Sequence, residues 1–207
     1  HLTELADIIV QTTLRLVWPK IRQRHCETPK FAVIGYGKLG GKELGYVSDL
    51  DLVYLYDDPD PDAEENYARL GQRLNTWLSS QTSAGILFET DLRLRPNGDS
   101  GLLAVSVDSF RDYQLDKAWV WEHQALTRAR FCAGDPAVGA RFEEIRREIL
   151  CRQRDLAKLK EEVVAMRRKM YDAHASKSET LFDLKHDPGG IIDVEFNDIN
   201  GGSFSVT

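Results

Sequence analysis

An α/β fold with a mixed sheet flanked by helices is what this sequence predicts, and three observations carry the expectation. Residues 31–34 and 50–56 are short apolar runs rich in β-branched and aromatic side chains, with the length and composition of strands. Between them lies a turn dense in glycine, Gly35, Gly37, Gly40, Gly41 and Gly45. Around them, apolar residues recur at helical spacing in long stretches that also carry charges of both signs.

Residues 2–23 come first and read as a helix with Leu2, Leu5, Ile9 and Leu16 on its inner face, bent or ended by Pro19. Residues 57–62 hold two prolines and form a loop. Asp62 then offers an N-cap with Glu65 three positions on, opening a helix whose buried stripe is Tyr67, Leu70, Leu74, Trp77 and Leu78. Residues 86–95 read as a strand. Leu87, Glu89, Asp91, Arg93 and Arg95 share one face, and Ile86, Phe88, Thr90, Leu92 and Leu94 the other. Asn97-Gly98 is a turn signal, and residues 102–107 look like a return strand, giving hairpin connections within a mixed sheet. Residues 119–131 are expected to be a helix docked on the sheet, with His123 in a structural role. Asp135-Pro136 opens another helix.

The remainder reads as helical. Residues 143–168 form solvated helix surface, with Leu156, Leu159, Val163, Met166 and Met170 making an apolar stripe for a partner helix. Residues 182–187 suggest a short strand or extended segment, broken by Pro188-Gly189-Gly190, after which a helix starts at Ile191. The expected organisation is a domain over residues 1–150 and a helical segment over 151–196 leading into a truncated helical domain. Residues 197–207 lack periodicity and read as a non-native or disordered tail.

Composition narrows the function. In 207 residues, 33 acids against 27 lysines and arginines give a net charge of -6, which disfavours a channel for nucleic-acid phosphates. Cys26, Cys132 and Cys151 are odd in number and form no C-x-x-C pair, so they read as reduced, mostly buried thiols of a cytoplasmic protein. No apolar run reaches the roughly 18 residues of a membrane span. The chain opens on His1 and reads as a fragment.

Chemistry concentrates in residues 31–56. Side chains alternate along a strand, so Asp49 and Asp51 share a face two residues apart. Two hard carboxylates so placed suit Mg²⁺. Asp91, on a neighbouring strand, is the candidate third carboxylate of a two-metal centre. Gly40 and Gly41 would bring backbone N–H groups close to a phosphate, and Lys42 and Ser48 belong to the same candidate nucleotide-binding segment. Arg93 and Arg95 suit phosphate oxygens, or else surface ion pairs with Glu89 or Asp91. Lys185 is a further candidate phosphate contact. Asp193 and Glu195, two apart on a helix, cannot chelate one ion. A rival reading exists, because Gly35 to Gly40 fits G-x-G-x-x-G with Asp57 or Asp58 downstream, as in dinucleotide folds. Only residues 38–48 are available for a parallel crossover, and their glycines oppose a helix there.

Four motifs resemble the glutamine synthetase adenylyltransferase family: G-Y-G-K-L-G-G-x-E-L-G-Y-x-S-D-L-D-L-V from Gly35 to Val53, D-x-R-L-R-P from Asp91 to Pro96, W-E-H-Q-A-L-x-R-A-R from Trp121 to Arg130, and G-G-I-x-D-x-E-F from Gly189 to Phe196. The resemblance runs to Phe196. It implies a polymerase β-like nucleotidyltransferase fold in a bifunctional enzyme with two related domains, one adding AMP to glutamine synthetase and one removing it. It also implies Mg²⁺, ATP as substrate, a tyrosine hydroxyl of glutamine synthetase as nucleophile and the PII signal protein as a possible partner. Tyr36, Leu44-Gly45-Tyr46 and Glu122-His123-Gln124 resemble the adenylylating half. The other half tends to carry Met in place of Tyr36, and Arg-Glu where this chain has Ile192-Asp193. The alternatives are phosphorolytic removal of AMP, or a nucleotide-sensing or docking module without catalysis.

Overall fold

The computed structural model of the chain describes residues 1–174, 176 and 180–194. These fall into two compact units, His1–Ala118 with Arg128–Ile149, and Trp119–Thr127 with the residues from Leu150 onward.

The first unit is built on a mixed sheet. β1 (Phe31–Gly35) and β2 (Leu50–Tyr56) pair antiparallel, from Phe31 against Tyr56 to Gly35 against Leu52. An antiparallel pair needs no crossover helix, which disposes of the dinucleotide topology. β5 (Arg130–Gly134) pairs antiparallel with the other edge of β1, leaving β1 central and buried throughout. β3 (Thr90–Asp91) and β4 (Ala104–Ser106) both run parallel to β2 on its free edge, β3 beside Leu50 and Asp51, β4 beside Tyr54 to Tyr56. They amount to one edge strand with a loop let into it, so the expected hairpin between them is wrong. The expected strand over 86–95 shrinks to two residues. Ile86 and Leu87 are exposed, and Arg95 N donates to Leu92 O in a turn. Asn97 and Gly98 do turn the chain, both with left-handed φ near 60° and 53°.

Strand alternation sorts the core. Phe31, Val33, Leu52, Tyr54 and Tyr56 face α1 (Leu2–Val17) and α3 (Ala63–Ser79) in one apolar cluster. Ala32, Ile34, Val53 and Leu55 form the opposite, equally buried face. α4 (Val107–Asp116) packs on β2 and β4, and its Phe110 meets Phe142 of α6 (Pro136–Leu150) at 5.9 Å. Ser106 caps α4 through Ser109 N, and Asp135 Oδ1 accepts from Ala137 N at the start of α6, as the Asp-Pro pair predicts.

Three helix readings need correction. α1 buries Thr3, Ala6, Val10, Thr13, Leu14 and Val17, while Leu5 and Leu16 are about half exposed at 51% and 48%. The smaller and β-branched residues let the helix lie close to β5 and α3. In α3 the stripe holds except for Trp77, 42% exposed beside Lys20. Asp62 stands at the N-cap of α3 with no side-chain bond, because the preceding loop uses its acids on itself: Asp58 accepts from Asp60 N, and Asp60 from Asp62 N. The expected helix over 119–131 ends early. α5 is Val120–Thr127, and Arg130 onward is β5.

In the second unit α5 packs against α7 (Leu156–His174), with Leu159 and Val163 buried beside Ile192, and Val120, Met166 and Met170 closing the cluster. The segment Trp119–Thr127, expected within the first domain, belongs to this unit. His123 is buried, its Nδ1 2.9 Å from Arg154. Residues 182–187 form turns instead of a strand, with buried Asp187 accepting from the Ser176 and Asp183 amides. Residues 191–194 are helical. Glu195, Phe196 and the 197–207 tail lie outside the described residues.

Candidate active site

The N-terminal end of β2 gathers the acids. Tyr36 N donates to Asp51 O at 2.9 Å, and Leu50 N to Glu89 O at 2.9 Å, so the segment is clamped between β1 and the approach to β3. Asp51 stands directly opposite Asp91 in the parallel pairing. One carboxylate oxygen from each of Asp49, Asp51 and Asp91 lies within 4.8 Å of the others, Asp49 exposed and the other two half-buried. Each like-charged pair at this separation costs roughly 1 kcal/mol in water and several times that where water is scarce. Such a cluster gains from a cation.

Arg93 supplies part of that charge. Its backbone N–H donates to Asp91 Oδ1 at 2.8 Å, its Nε reaches Asp91 Oδ2 at 2.9 Å, and its guanidinium pairs with the same carboxylate. These hydrogen bonds outweigh burial and hold the Asp91 carboxyl below its usual range. Arg93 itself is 73% exposed, so the pair is a surface one. Arg95 is turned elsewhere. Its guanidinium donates to Leu92 O at 2.7 Å and Asp99 O at 3.1 Å, stapling the loop between β3 and β4.

The glycine turn also differs from expectation. Residues Gly37–Gly40 make a single helical turn, α2, in which Gly40 N donates to Tyr36 O and Gly41 N to Gly37 O. The two amides expected to cradle a phosphate are therefore spent inside the turn. Gly40 is required for packing instead, since a Cβ there would overlap the carbonyl oxygen of Arg128. Lys42 is exposed with left-handed φ of 59°, and Ser48 Oγ accepts from Gly45 N at 3.0 Å. Lys185 is exposed in the second unit. Asp193 is taken by Arg167, which also donates to His186 O at 2.9 Å.

Sequence reasoning missed Gly37. Its φ is +51°, and a Cβ would collide with Asp51 Oδ2, so only glycine lets that carboxylate sit against the turn. The signal was present in G-Y-G-K, but Gly40 and Gly41 hid it. Arg130, which the sequence offers with Arg128 as a nucleotide contact or a satisfied docking residue, donates to Asp7 at 2.8 Å and Leu39 O at 3.1 Å, tying α1 and α2 to β5. Nothing local in the sequence announces a pair so far apart. The cysteines read as buried thiols are free. Burial pushes Cys132 up to about 12, whereas Cys151 is exposed.

Comparison with known proteins bears on this geometry. The family model described as glutamate-ammonia ligase adenylyltransferase matches residues 1–145. A protein of Aromatoleum aromaticum named bifunctional glutamine synthetase adenylyltransferase/adenylyl-removing enzyme is 69% identical over 196 residues, 95% of this chain and 21% of the relative. Proteins of the same name from Nitrosomonas eutropha and Chromobacterium violaceum are 62% and 58% identical over 196 residues, 95% of this chain and 21% and 22% of theirs. The chain thus spans about a fifth of the length of these relatives. By the family model and by this identity across nearly its whole length, the chain belongs to the glutamate-ammonia ligase adenylyltransferase family.

Proposed function

We propose that the first unit is a nucleotidyl-transfer centre that moves AMP from ATP to a tyrosine hydroxyl of glutamine synthetase, releasing pyrophosphate. The observation that carries this reading is the convergence of Asp49, Asp51 and Asp91 at one end of β2. The donor set fits magnesium, being all carboxylate oxygen and open enough on the Asp49 side to leave room for water and phosphate ligands. When bound there, Mg²⁺ would polarise the α-phosphate and neutralise charge on the leaving pyrophosphate.

The remaining roles fall to the chain. Asp51 is held rigidly by its strand bonds and by Gly37. Asp91 stays ionised under Arg93, which suits a ligand better than a base, because a depressed carboxyl takes up a proton weakly. Its ion pair with Arg93, whose guanidinium is exposed to solvent, is worth on the order of 1 kcal/mol. Arg93 can therefore leave Asp91 for a phosphate oxygen at little cost, exchanging one charge-assisted pair for another.

The direction we infer is addition. Tyr36, Leu44-Gly45-Tyr46 and Glu122-His123-Gln124 support it by their likeness to the adenylylating half. Ile192-Asp193 supports it too, since Asp193 binds an arginine where the other half would present one. The same reading takes glutamine synthetase as the protein substrate, PII as regulator and the cytoplasm as location. No described helix is long and apolar enough to cross a membrane.

Transfer of label from α-labelled ATP to glutamine synthetase, with and without Mg²⁺, tests the proposal. Mg²⁺-dependent labelling is expected. Release of AMP as ADP from adenylylated glutamine synthetase in phosphate, with no transfer, would reverse the direction. Binding of ATP without either reaction would leave a sensing module.

A further inference from the structure

We propose that His25, Cys26 and Asp58 form a second metal site, for a zinc-type transition ion held by one imidazole, one thiolate and one carboxylate. The cluster lies just past the C-terminal end of β2, seven residues on from Asp51, or about 20 Å along an extended chain. One ligand atom from each of the three residues lies within 4.8 Å of the others. His25 Nε2 is 3.0 Å from Asp58 Oδ2, and both side chains are only 5% exposed.

The independent sign is Asn66. This buried amide places Nδ2 3.2 Å from His25 Nδ1, and its Oδ1 has no hydrogen-bond partner. A neutral His25 that donates from Nε2 to Asp58 forces that arrangement and orphans the oxygen, at about 1–3 kcal/mol. Turning the amide over, an assignment the network alone decides, puts Oδ1 against Nδ1 and demands an N–H there. Nε2 then meets the carboxylate either through a second proton or with its lone pair on a cation that the two share. A metal ion on Nε2 gives both ring nitrogens and the amide oxygen a partner. A ring N–H donating to an oxygen is also the usual outer contact of a metal-bound histidine.

The surroundings agree. Tyr67 OH donates to Asp58 Oδ2 at 2.9 Å, orienting the carboxylate, and Trp18 stacks on Tyr67 at 5.5 Å to close the apolar side. Cys26 Sγ, 3.2 Å from Thr28 O, would give up its thiol proton to solvent on binding. Thiolate and carboxylate then balance the dication. Lys30, 3.4 Å from Asp58 on a half-exposed side chain, is free to swing away. Three protein ligands leave a fourth tetrahedral position for water. Thiolate and imidazole select a softer ion than the all-oxygen triad does.

The test uses the metal-free chain carrying Asp49→Asn and Asp51→Asn, so that the acid triad is silent, titrated with Co²⁺. Expected is a thiolate-to-cobalt charge-transfer band saturating at one ion per chain, displaced by Zn²⁺ and absent in Cys26→Ser. Asn66→Ala should keep the band while weakening cobalt affinity roughly 10–100-fold. If the serine variant fails to fold, the band in its parent and the Asn66→Ala shift still decide. Absence of the band in the parent overturns the site, as does nitrogen NMR showing both ring nitrogens of His25 protonated in the presence of excess Zn²⁺. Either result would leave a protonated histidine tethering a loop.

Discussion

The two ends of β2 set the same functional group in opposite surroundings. At the N-terminal end, Asp49, Asp51 and Asp91 crowd one another, with Arg93 paired to Asp91 and Arg95 near enough to be felt there. At the C-terminal end, burial pushes Asp58 up, but hydrogen bonds from His25, Tyr67 and Asp60 N, with Lys30 beside it, outweigh burial and bring it to about 2. One end is short of positive charge, and at the other, in the metal-free chain, the fold's own donors supply it. A carboxylate's neighbours, more than its type, set how firmly it keeps its charge before any ligand arrives.

The sharpest way to break the comparison is Asp49→Asn with Asp51→Asn. Magnesium-dependent ATP binding by calorimetry should vanish and transfer should fall on the order of a thousandfold or more, while the thermal midpoint of the metal-free protein stays level or rises. Unchanged Mg·ATP affinity would sink the triad. At the other end the pattern inverts. Tyr67→Ala should lose about 3–5 kcal/mol in denaturant unfolding, with Mg·ATP affinity of the folded protein unaltered.

Asp58→Asn, measured in chelator, should cost on the order of 2 kcal/mol near neutrality. The folded-state carboxyl lies below its ordinary value near 3.8, so its contribution is complete above that value and is lost as pH falls through about 2. The wild-type and variant unfolding curves should therefore converge in acid. A gap that persists there would mean that shape, not charge, holds this end. Arg93→Gln should change stability by less than about 1 kcal/mol, raise the Asp91 carboxyl toward its ordinary range by NMR, and weaken ATP several-fold. The smallest effect is expected at Leu5→Ala, within about 0.5 kcal/mol, since the side chain is half exposed.

What the sequence disclosed follows from the same contrast. β1, β2 and the pairing of Asp49 with Asp51 were legible because strand alternation is local and the acids interrupt an apolar run. The third acid was legible, but its strand was not: a two-residue pairing, with an arginine stapling the next loop, leaves no periodic pattern. β5 was hidden because residues 130–134 are short and follow a helix without a break signal. The glycines misled because their number suggested free amides, whereas Gly40 answers a steric demand from Arg128, far along the chain. His25, Cys26 and Asp58 carried no spacing signal, since only the closing of β1 on β2 brings their segments together.

The central position of β1 bears on how the chain is made. β1 meets β2 almost at once, but its second edge stays open until Gly134 is available to pair with Ala32. Between them the ribosome must deliver α3, both edge strands, α4 and the α5 segment that joins the other unit. For that interval a hydrophobic strand has a row of unpaired amides and carbonyls, the arrangement that invites pairing with a foreign chain. The closing of this edge is a long-range contact and hence slow. Chaperone demand during synthesis should fall once residue 134 has emerged.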